Sequence, residues 1–128
     1  MIKAINIEQE LAKLKFLEGR TPQTTDDDLA TAFTTLSSYD TGGVFTGSYS
    51  GDSPWERHTM GDEMVHILKG QTEMTILSDV GQQILHLKEG MLIIVPKGLW
   101  HRFHAPDGVT VLSITPQPTE HSTQVDPR

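Results

Sequence analysis

The chain has 128 residues, ten basic and seventeen acidic, for a net charge of −7 with histidine neutral, and 36% of its residues are apolar. That is one domain with a compact core, and a surface of that sign argues against nucleic acid and anionic membranes as partners. The absence of cysteine removes disulfides, thiolate nucleophiles, zinc fingers and iron–sulfur clusters together, so any metal site must draw on imidazole, carboxylate, amide or water.

No run reaches the ~18 apolar residues of a membrane helix. The N-terminus lacks the charged-then-apolar layout of a signal segment, so a soluble, cytoplasmic protein is expected. In chain order, Asn6 caps a short helix whose face carries Ile7, Leu11, Leu14 and Leu17, and Gly19 stops it. Residues 20–28 are polar and read as a linker loop. The acidic run Asp26-Asp27-Asp28 lacks the alternating ligands of a calcium loop and reads as a solvated face or a helix start. The segment 29–41 fits a helix through Leu29, Phe33 and Leu36, yet its threonine and aromatic content favours a strand.

From Gly42 the pattern changes to short alternating runs: 44–49, 55–58, 64–69, 72–77, 82–87, 91–95, 100–104 and 109–114. Glycine and proline turns separate them, among them Lys69-Gly70 and Pro106-Asp107-Gly108. Eight strands without intervening helices predict an all-β jelly-roll barrel. The expected organisation is a helix and extension over 1–41 packing on a barrel over 42–115. The proline-rich tail 116–128 is expected to be extended or disordered.

Chemistry concentrates at four positions. On the strand Trp55–His58, Glu56 and His58 share one face and Trp55 and Arg57 the other. Glu63 opens the next strand and shares its face with Val65 and Ile67. Downstream, His101 and Phe103 share a face. Two imidazoles with one or two carboxylates suit a borderline-to-hard divalent ion. The pattern of two histidines and one carboxylate is that of non-haem iron(II) sites.

The stretch from Glu56 to Glu63, with Gly70 after it, resembles the first motif of the cupins. The stretch from Gly90 through Pro96-Lys97-Gly98 to His101 resembles their second motif in full register. The resemblance implies a double-stranded β-helix, with metal ligands at His58, Glu63 and His101. Glu56 stands where the family has its first histidine, and Ala105 where an asparagine often follows the second motif. Glu56 is thus a fourth ligand or a general base, and the more anionic set tilts the metal towards Mn or Fe, with Ni and Zn also in range.

The resemblance leaves three functions open. One is a metal-dependent oxygenase or isomerase on a small organic acid or carbonyl compound. Another is a non-catalytic small-molecule-binding or sensing module, and the third a metal-free epimerase or isomerase. Small single-barrel relatives pair through outer strands, so a homodimer is expected. Val65, Ile67 and Phe103, with Ile93 and Val95, are the expected pocket lining. Trp55 and Trp100 point outward, as sandwich or dimer-interface packing. Met60, Met64 and Met74 are expected in the barrel wall, and His66, His86, His104 and His121 read as structural or surface groups.

Overall fold

The computed structural model describes residues 2–128. Two short helices and nine strands follow in chain order: α1 Ile7–Leu11, β1 Leu17–Arg20, α2 Asp26–Ala32, β2 Phe33–Tyr39, β3 Gly42–Asp52, β4 Trp55–His58, β5 Glu63–Ser78, β6 Gly81–Lys88, β7 Leu92–Val95, β8 His101–Pro116 and β9 Thr119–Ser122. The chain is an all-β barrel. Its spine is the long antiparallel pair β5–β8, in register from Met64↔Ile114 to Ile76↔His101. β3 flanks β8 along the other edge, and β6 and β7 flank successive halves of β5. The alternating inner faces bury Tyr49, Val65, Ile67, Met74, Phe103 and Val111 as one core. No helix among the described residues is long and apolar enough to cross a membrane.

Several sequence expectations are corrected. The first helix ends at Leu11 rather than Leu17, because a five-residue helix carries little stability of its own and Lys15 N–H is drawn to Thr31 O at 2.9 Å. Leu17 instead opens β1, which runs parallel to β3. The segment 29–41 is divided. Thr25 caps α2 by accepting from Asp28 N–H at 3.2 Å, the acidic run fills its first turn, and only Phe33–Tyr39 is strand.

Two turn signals prove to be bends within strands. Lys69-Gly70 and Pro106-Asp107-Gly108 face each other across the β5–β8 ladder, where Gly70 pairs with Val109. Gly70 has φ +74° and a Cβ there would lie 2.3 Å from Gly108 O, so both strands bend at one point and neither ends. The four runs predicted around these signals are therefore two long strands. The tail is also more ordered than a free arm: Thr119–Ser122 pairs antiparallel with all of β4. Met60 is exposed rather than part of the wall, while Met74 is fully buried.

Trp55 and Trp100 do lie on the outer side of the barrel, but they are buried. With Leu77 they form a second apolar cluster. Arg57 covers the Trp100 ring at 4.6 Å and Arg102 covers Trp55 at 4.3 Å, so the cluster is sealed within one chain.

Candidate metal centre

Strand pairing brings the distant residues together. Glu56 on β4 is paired directly with His101 at the start of β8, and His58 is paired with Thr119 on β9. Glu63 opens β5 opposite Val95. One ligand atom each from Glu56, His58 and His101 falls within 4.8 Å of the others, a spacing one divalent ion can span. Glu63 lies beside them, its Oε1 3.0 Å from His101 Nε2 and its Oε2 3.3 Å from His58 Nε2. His58, Glu63 and His101 are buried and Glu56 is half-buried.

The outer partners fix which way the imidazoles present their lone pairs. A carbonyl only accepts, so His101 Nδ1–H donates to Leu99 O at 3.0 Å, and the lone pair of the neutral ring is on Nε2. The Thr119 hydroxyl donates to Gln117 Oε1 at 3.4 Å and accepts from His58 Nδ1–H at 3.1 Å. That leaves His58 Nε2 facing inward, a buried nitrogen that makes no hydrogen bond of regular geometry among the described residues and has the Glu63 carboxylate as its neighbour. Thr115 Oγ1 donates to Glu63 Oε2 at 2.6 Å, which holds the carboxylate in place. Imidazoles oriented by outer hydrogen bonds, with their inner nitrogens aimed at one carboxylate, are arranged as metal ligands are.

The charges agree. Burial alone would push the Glu63 carboxyl up, but the His101 and His58 contacts outweigh it and hold it at about 2. Burial pushes His101 down, and its hydrogen bond and attraction to Glu63 more than reverse this, so it is raised. The centre thus calls for one more positive charge beside Glu63, supplied by a proton on His101 or by a cation. The oxygen-and-imidazole donor set fits a divalent transition ion.

This gives a pH expectation for metal-free protein. The folded value of Glu63 lies below its ordinary 4.5, so its contribution to stability is complete above that pH and is lost as the pH falls towards 2. Urea midpoints should drop across that interval. Glu63→Gln should flatten the drop, and an unchanged slope in the variant would refute the assignment.

The centre opens into a cavity of about 340 Å³. Glu56, His58 and Glu63 stand on its wall with Val65 and Phe103, while His101 is wholly buried and meets it through Glu63. Ile67 and Val95 lie in the core and do not line the cavity, nor does Ile93. Sequence reasoning missed several wall residues. Arg20, Tyr49 and Thr115 line the cavity, as do Thr119 and His121 of β9. His121, read as a tail residue, is paired with Glu56. The alternation Thr119-x-His121 was the available signal, and the surrounding prolines masked it. His86 and His104 are exposed, each beside a carboxylate, Glu73 and Asp52 respectively.

An all-β barrel with a histidine–carboxylate centre at its mouth defines the class, and residues 45–115 match the Cupin domain. That is more than half of the chain, which therefore belongs to the cupin family. No curated protein matches it. Among solved structures, a cupin-2 domain-containing protein from Shewanella frigidimarina is similar with a TM-score of 0.65 and 16% identity, over 88% of this chain and 94% of its own. A hydroquinone 1,2-dioxygenase in complex with cadmium and 4-hydroxybenzonitrile is similar with a TM-score of 0.57 and 21% identity, over 66% of this chain and 63% of its own. An oxalate decarboxylase from Bacillus subtilis gives 0.54 and 22%, over 59% of this chain and 21% of its own. At these identities the likeness is one of fold.

Proposed function

We propose that His58, Glu63 and His101, with Glu56 as a fourth donor, hold one divalent transition metal, Mn, Fe, Ni or Zn. The chain is then a metal-dependent enzyme of oxygenase or isomerase type on a small organic acid or carbonyl compound. The observation that carries this reading is the orphaned His58 Nε2, aimed with His101 Nε2 at a buried carboxylate. The metal-bound dioxygenase among the structural neighbours supports the choice of reaction type.

When bound, the ion would supply Lewis-acid polarisation of substrate oxygen. The chain's own residues do the rest. The apolar wall of Val65, Phe103 and Val111 sheds water from a small organic body. Glu56 stands on the cavity wall, its only ion-pair partner among the described residues being Arg20 at 3.8 Å. Were it not bound to the ion, the same carboxylate would be placed to accept a proton from a substrate in the cavity. The barrel over 42–115 supplies the ligands, and Arg20 and Thr119 from the segments on either side of it add to the cavity wall.

Protein purified without added metal should carry near-stoichiometric divalent ion, and chelation should abolish turnover that the same ion restores. Only trace metal would overturn the reading. A second reading, a metal-free epimerase, draws on the short His101–Glu63 contact as a proton-transfer pair. Full activity after chelation would favour it, and ligand retention without turnover would favour a binding module.

A further inference from the structure

Arg20 is buried, with 8% of its surface exposed, and it lines the cavity beside the metal centre. Its guanidinium is packed against two aromatic rings, 4.7 Å from the centre of Tyr49 and 5.3 Å from that of Phe33. Among the described residues its Nε has no hydrogen-bond partner, and its one ion-pair contact is the long one to Glu56 Oε1 at 3.8 Å. The Tyr49 hydroxyl, also buried against the cavity, makes no hydrogen bond of regular geometry among the described residues, Arg20 being the polar group that acts on it. Burial pushes the Tyr49 phenol well above its usual value, partly offset by Arg20, so it remains a neutral donor.

Buried guanidinium and phenol groups are seldom left unpaired, because each forgoes water without replacing it. The position is also built with care. Gly51 on β3 has φ +107°, and a Cβ there would lie 2.2 Å from Arg20 O. Only glycine lets β1 come close enough to place Arg20. Gly19 N–H donates to Ser50 Oγ at 3.0 Å and anchors the same segment.

We propose that Arg20 and the Tyr49 hydroxyl form a carboxylate-binding site on the cavity wall beside Glu56, which selects a monoanionic organic acid as the ligand of this protein. The idea deepens the function proposed above and rests on it for the place of the metal. Charge accounting supports it. A divalent ion balances Glu56 and Glu63 with the histidines neutral, which leaves Arg20 as the surplus cation of the buried wall. Asp26 lines the rim but is exposed and makes no ion pair with Arg20. One carboxylate would neutralise the surplus and fill the open donors, with the guanidinium fork suited to two parallel hydrogen bonds. The apolar residues of the cavity wall, including Phe33, Val65 and Phe103, suit a hydrocarbon or aromatic body.

Benzoate, with benzamide as its neutral match, tests this by calorimetric titration of the protein as purified, with metal content measured on each sample. The wild type should prefer benzoate. Arg20→Met should lower that preference about tenfold or more, Tyr49→Phe about threefold, and Arg20→Lys should keep part of it. A wild type indifferent to the charge, or an unchanged preference in Arg20→Met, overturns the site. Should Arg20→Met fail to fold, unchanged preferences in both Arg20→Lys and Tyr49→Phe overturn it instead. A benzoate preference that does not depend on Arg20, in protein that retains its metal, defeats this inference alone. A persisting preference without bound metal defeats the metal assignment alone.

Discussion

His101→Ala is expected to reduce bound metal to background, and His58→Ala to do the same, when elemental content is measured on folded protein purified without added metal. The two rings come from different strands and are oriented separately, His101 by Leu99 O and His58 by Thr119 Oγ1. Neither can stand in for the other. Removing His101 also leaves the buried Glu63 carboxylate without its nearest cationic partner, a loss that costs about 3–5 kcal/mol in buried pairs. The variant should therefore be both metal-free and less stable. Unchanged metal in both variants would overturn the ligand assignment. Glu56→Gln should have a smaller effect, since Glu56 is half-buried and the amide keeps an oxygen donor. If that variant is fully loaded but inactive, Glu56 acts as the base rather than as a ligand.

The ligand positions were legible because they depend on local rules. Two-residue alternation puts Glu56 and His58 on one face of β4, and the motif spacings set Glu63 and His101 at strand starts. The rest of the cavity wall was not legible, because it depends on pairings with no local signature. Arg20 sits in a polar stretch that reads as linker, and only the parallel contact of β1 with β3 buries it. The glycine that permits this contact, Gly51, carries no mark of it in the sequence. β9 is a four-residue strand among prolines, held by its pairing with β4 and not by propensity. The two bends in β5 and β8 were misread for the same reason: a glycine in a ladder and a glycine in a turn look alike until the partner strand is known.

Trp100→Ala should separate stability from metal binding at adjacent positions. Trp100 precedes His101 and points the other way, into the outer cluster with Trp55 and Leu77. It is 8% exposed within one chain, so its packing needs no second copy. Removing the indole leaves a void beneath Arg57 and uncovers Trp55, with an expected cost of about 3–5 kcal/mol. For a domain of this size that corresponds to a melting temperature lower by about 10–20 °C. Metal per folded molecule should remain at the wild-type level, because the inner face of β8 keeps His101 paired with Glu56 and hydrogen-bonded to Leu99. A shift of only a few degrees would show that the cluster is not a second core. Metal loss in the folded fraction would show that the outer packing, and not the hydrogen bonds inside, sets the His101 ring.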